Sequence, residues 1–195
     1  MSHAPRNQVS FNNYSSYFLE NIANAASMKK RGISAPVQVC RDHLDAIDAQ
    51  IPIVHNMLND FETADGINYT ATIHNAKQVL LGHMKKSGAD CCSVTGIITD
   101  EEADAMLITV TPVIPKATNA LALLIEKKPT LDSIILVTHV AKADVRDLYT
   151  NTAVIYTCIL DIGSAQHPTY IPIINDYINQ LNTAFTNTYS VYGIK

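Results

Sequence analysis

Apolar residues at Val37, Cys40, Leu44, Ile47, Ile51, Val54, Leu58 and Phe61 follow one another in alternating steps of three and four. That is the period of an α-helix carrying one apolar stripe. The rhythm returns at Met106, Val110, Val113, Ala117, Leu121 and Leu124, then at Ile135, Thr138, Ala141, Val145, Leu148, Thr152 and Ile155. A last stripe runs through Ile174, Tyr177, Ile178, Leu181, Phe185, Thr188 and Tyr192. Several such stripes in one chain leave water only by packing on one another. The pattern therefore predicts an all-α fold, an antiparallel bundle of about five long amphipathic helices.

Local punctuation sets the expected bounds. The first helix is expected from Pro36 to Asp60, with Pro36 in the first turn and Pro52 kinking the middle. The second runs from Tyr69 to Lys86 and stops at Gly88, followed by a loop through Cys91, Cys92 and Gly96. The third opens on Thr99-Asp100-Glu101-Glu102, the signature of a capping box whose acids also suit the positive helix end. It continues to Lys127 with kinks at Pro112 and Pro115. The fourth spans Thr130 to Ile162, with the β-branched stretch Ser133–Val140 as the one place where a strand would interrupt it. The fifth is capped by Thr169 and ends at Tyr192.

Residues 1–34 read differently, being rich in Asn, Ser and Ala around an aromatic cluster from Phe11 to Leu19. A short helix over Tyr17–Ala26 and an unstructured tail both fit that stretch. The expected layout is an N-terminal extension, 1–34, and a helical domain, 35–195.

Composition sharpens the picture. Of 195 residues, 47% are hydrophobic and only 16% charged, which gives apolar area beyond the needs of an ordinary small core. The net charge is −4 and the only basic block is Lys29-Lys30-Arg31, so nucleic acid and anionic membranes are not expected partners. No stretch reads as long enough to span a bilayer, and the first thirty residues hold no signal-peptide core.

No catalytic constellation emerges. The seven histidines form no i, i+4 metal pair, and there is no G-x-S-x-G elbow, P-loop or dinucleotide glycine pattern. His43, beside Asp42 and Asp45, reads as a solvated face, and the acids from Asp100 to Asp104 read as a helix cap. The expectation is a non-enzymatic protein without cofactor or metal. Alternating helix directions bring Cys40, Cys91, Cys92 and Cys158 to one end of the bundle. Two disulfides, joining Cys40 and Cys158 each to one of the adjacent pair, and four buried thiols are both compatible with that placement. Zinc fits poorly, because the paired spacing of its ligands is missing. Asn13 and Asn68 begin sequons and are candidate N-glycosylation sites. Prolines at mid-height could bow the helices apart around an apolar slot, although the pattern alone favours a packed core with harmless kinks.

Four segments shift that balance: VCRDHLDAIDAQIPIVHNMLNDF, ITDEEADAMLITVTPVIPKATNALALLIEKKPTLDSI, ADVRDLYTNTAVIYTCILD and INQLNTAFTNTYSVY. In order and spacing, with the Lys127-Lys128-Pro129 junction, they resemble the fungal hydrophobic surface-binding protein A family, which includes cell-wall galactomannoproteins. The resemblance implies a bundle that is secreted or wall-attached, has no catalytic activity, and coats hydrophobic surfaces or holds fatty acids between its helices. The missing signal peptide, the N-terminal extension and the four cysteines depart from that family.

On this reading, fatty acid or another long-chain lipid would contact stripe residues near the kinks. These are Val54, Leu58 and Phe61 on the first helix and Val110, Ile114 and Leu121 on the third. Ile135, Thr138, Val145 and Leu148 on the fourth and Tyr177 and Leu181 on the fifth complete the set. The hydroxyls of Tyr177, Thr138 and Ser133 are candidate partners for a carboxylate, since each can donate without bringing a charge. An adhesion protein without a pocket and an intracellular helical adaptor are the alternatives.

Overall fold

The computed structural model describes residues 32–164 and 167–195. The expectations for residues 1–31, Asn13 among them, lie outside the described residues. Those described form α1 (Ala35–Asp60), a 3₁₀ turn (Thr63–Asp65), α2 (Gly66–Cys92), α3 (Asp100–Val110), α4 (Val113–Asp132), α5 (Val137–Ser164) and α6 (Ile171–Tyr192). No strand occurs among the described residues, and the fold is all-α.

The helices begin and end for identifiable reasons, several of which correct the expected bounds. Pro52 lies inside α1 without ending it, withholding only the amide that would meet the Asp48 carbonyl. α2 starts earlier than Tyr69, at Gly66, whose left-handed φ of 66° turns the chain into the helix. It also runs straight through Gly88 to Cys92. Gly88 is not a stop: a Cβ there would sit 3.2 Å from Val154 Cγ1, so the glycine lets α2 and α5 touch.

The expected third helix is two, parted at Thr111–Pro112. Pro115 then falls in the first turn of α4, where no helical amide is lost, so it makes no kink. α4 carries on through Lys127-Lys128-Pro129 to Asp132, and α5 begins at Val137, not Thr130. The residues between them, Ser133–Leu136, are turns and bends, with Leu136 at φ 71°. α6 takes Tyr170 rather than Thr169 as its N-cap and ends at left-handed Gly193.

The capping box is present. Glu102 N donates to Thr99 Oγ1 (3.2 Å) and Thr99 N to Glu102 Oε2 (2.9 Å). The other carboxylate oxygen accepts from the Ser34 amide (2.6 Å), which ties the start of α1 to the start of α3. Burial raises the affinity of Glu102 for a proton, but the bonds from Ser34 and Thr99 outweigh it and hold the carboxyl below its ordinary value.

α1 packs on α2 and α4, α2 on α5, α5 on α6, and α6 back on α4. With α3 and α4 counted as one bent rod, five rods close into a ring. Disulfides Cys40–Cys91 and Cys92–Cys158 join α1 to α2 and α2 to α5 at the end where α1 starts. They adopt one of the pairings that the alternating directions allow. They close loops of 51 and 66 residues, and each constrains the unfolded chain by about 2–4 kcal/mol.

By length and apolarity alone, the run Asp100–Asp132 passes for a membrane-crossing helix, contrary to the sequence expectation. In the bundle it is the bent rod α3–α4, and its apolar face turns to the inside of the ring.

Candidate functional site: a cavity inside the helical ring

Five parallel rods cannot all touch one axis. Rods about 10 Å apart in a pentagon lie about 8.5 Å from its centre, and a helix with side chains has a radius of about 5–6 Å. A channel a few ångströms across is left along the axis. The structure has that channel: a cavity of about 620 Å³, lined from every helix of the ring. Small-molecule sites span roughly 300–1,000 Å³. Its wall is mostly aliphatic, with Ile47, Leu80, Met106, Val110, Leu121 and Leu148 among the lining residues.

Ten of the twelve stripe residues singled out from the sequence line this cavity: Val54, Leu58, Val110, Ile114, Leu121, Ile135, Val145, Leu148, Tyr177 and Leu181. Phe61 and Thr138 do not. Phe61 is the residue after the last turn of α1, in extended backbone, so the helical period no longer aims it inward. It is buried against Leu58, Leu123 and Leu131 and stacks on Tyr69 at 6.1 Å. Thr138 stands in the first turn of α5, and its hydroxyl donates to Asp132 Oδ1 (2.5 Å) on the outside. Ser133 is likewise turned away, donating to the Thr130 carbonyl (2.6 Å). Tyr177 does face the cavity. Its hydroxyl pairs with Thr111 Oγ1 (2.9 Å), whose own proton goes to the Leu107 carbonyl (2.7 Å).

The polar part of the wall escaped the sequence reading. His74, Lys77 and Gln78 of α2 meet Asp144 and Asp147 of α5 along one seam of the cavity. Lys77 Nζ donates to Asp144 Oδ1 (2.9 Å) and Asp147 Oδ2 (3.2 Å), and His74 Nδ1 lies 2.9 Å from Asp144 Oδ2. Only 4% of the Lys77 side chain is exposed. A signal existed: Ile73, Lys77, Leu80 and Met84 keep helical spacing, which puts an ammonium on the apolar stripe of α2. A charge buried there needs counter-charges, and α5 supplies them.

The two ends of the cavity differ. At the disulfide end, Tyr170 lines it and donates to Asp104 Oδ1 (2.5 Å); burial, then the Asp104 carboxylate, push its phenol far above the ordinary range. At the opposite end, the lining residues Ile67, Ile135 and Leu136 are 60%, 83% and 65% exposed. They form an apolar mouth between the start of α2 and the α4–α5 connection. Leucine at positive φ costs on the order of 1 kcal/mol, so the mouth also holds backbone strain. Asn68 is exposed in the first turn of α2, beside Ile67, rather than in a loop ahead of that helix. Among the described residues no cluster of His, Cys, Asp or Glu is arranged to hold a metal ion.

Comparison with known proteins agrees with this architecture. The family model for hydrophobic surface binding protein A matches residues 37–161. Among solved structures, the crystal structure of AfMP4p in complex with palmitic acid superposes with a TM-score of 0.72. It shares 18% identity and covers 80% of this chain and 99% of that one. At that identity the likeness is one of fold. No curated protein matches the chain.

Proposed function

Because the chain belongs to the hydrophobic surface binding protein A family, we propose that it is a lipid carrier whose working part is the cavity. One long-chain lipid, a fatty acid foremost, lies along the axis of the ring with its hydrocarbon against the aliphatic wall. The observation that carries this reading is an aliphatic cavity of about 620 Å³ that opens through an apolar mouth. Each methylene taken from water contributes about 0.8 kcal/mol, so a long tail binds well with a single polar contact. The palmitic acid held by AfMP4p on the same fold supports the ligand class.

On this reading the protein acts by binding and releasing, in keeping with its family, and the seam of His74, Lys77, Asp144 and Asp147 is a set of paired charges on one side of an otherwise aliphatic wall. It works outside the cell or at the cell wall, because disulfides persist in oxidising compartments. All four cysteines are paired, which takes away the ground for an intracellular adaptor.

Native mass spectrometry of gently purified protein, with displacement of a fluorescent fatty acid, tests the proposal. One lipid per chain and saturable displacement are expected. Protein that carries no lipid and leaves the probe unmoved overturns it. If such protein still adsorbs to hydrophobic beads with altered helicity, adhesion without a pocket takes its place.

A further inference from the structure

We infer that Lys77 receives the head of the bound lipid, and that Asp147 holds the place of a ligand carboxylate while the cavity is free. The inference rests on the carrier reading and adds the class of head group. Lys77 is the only lysine or arginine among the residues lining the cavity. Its two partners are held unequally. Asp144 is mostly buried, with one oxygen on Lys77 and the other facing His74. The Asp147 carboxylate has Lys77 as its one partner among the described residues, at the longer distance of 3.2 Å, and the side chain is 53% exposed.

The pair Lys77–Asp144 is therefore the fixed, charge-balanced unit. Asp147 is a second carboxylate on an ammonium that already has one. It can swing into water and recover its hydration, leaving a donor of Lys77 directed at the seam. A fatty-acid carboxylate arriving there makes the same charge-assisted bond, and the local charge is unchanged by the exchange. An alcohol of the same chain length brings no charge and does not displace Asp147 as well. The tail then runs along the lumen past Leu80 and Met84, next on the stripe of α2.

The test compares dodecanoic acid with dodecanol at neutral pH, each displacing a fluorescent probe from the full chain. The native protein prefers the acid. Lys77→Met removes the preference, weakening the acid on the order of tenfold or more and leaving the alcohol unchanged. Asp147→Asn, at a half-exposed site where folding is not at risk, strengthens the acid several-fold and again leaves the alcohol alone. If both ligands bind but Asp147→Asn leaves their ratio as in the native protein, the anchor is overturned and the carrier reading stands. A Lys77→Met variant that keeps the native ratio overturns it equally. If neither ligand binds the native protein, the carrier reading fails and the anchor with it.

Discussion

The two ends of the ring are built differently. At one end, two disulfides cross three helices, Gly88 brings α2 onto Val154 of α5, and Glu102 ties the starts of α1 and α3 together. At the other, Ile67, Ile135 and Leu136 stand in solvent around an opening. The chain there is held by the Phe61–Tyr69 stack and by Lys127 Nζ on the carbonyls of Asn59 (2.6 Å) and Phe61 (3.1 Å). On the carrier reading proposed above, the two ends divide the work: the stapled end keeps the ring in shape, and the apolar end is where a lipid would pass.

The contrast is easiest to break at its covalent end. Replacing Cys92 and Cys158 together by serine costs about 2–4 kcal/mol, read from urea denaturation, because a link across 66 residues is lost from the unfolded chain. Filling the lumen acts next. Ala117→Phe blocks lipid binding tenfold or more, about 1.4 kcal/mol, without lowering the melting temperature, because the new ring enters empty space instead of a packed core. A large drop in stability without loss of binding contradicts the cavity.

Glu102→Gln costs about 1 kcal/mol by weakening the cap, and it changes the response to acid. The carboxyl is held below its ordinary value of 4.5, so its contribution is complete above that pH and lost as the pH falls through the lower folded value. Unfolding free energy measured from pH 6 downward should fall less steeply in Glu102→Gln than in the native protein. The smallest effect belongs to the mouth. Leu136→Gly releases the left-handed strain and stabilises by about 1 kcal/mol or less, seen as a slightly raised melting temperature.

What was legible in the sequence follows from range. The stripes, the Thr99 box and the shared end of the four cysteines depend on local spacing and on alternating helix direction, and both survive folding. Gly88 was misread because its reason is Val154, far away along the chain. Phe61 and Thr138 were misplaced because a stripe continues on paper past the point where the helix starts or stops. Lys77 was missed for a related reason: a lysine among apolar positions looks like noise until Asp144 and Asp147 are seen across the seam.

The staple Cys92–Cys158 also fixes a pivot. Val140, on the rim, stands 18 residues from Cys158 along α5, a lever arm of about 27 Å. Over that length a tilt of about 5° amounts to roughly 2 Å at the far tip, and the Lys77–Asp144 pair and the Thr138–Asp132 bond hold the rod against it. Like the spring of a clothes peg, the staple fixes one end of the rod, and small changes of angle there are magnified at the end that borders the opening.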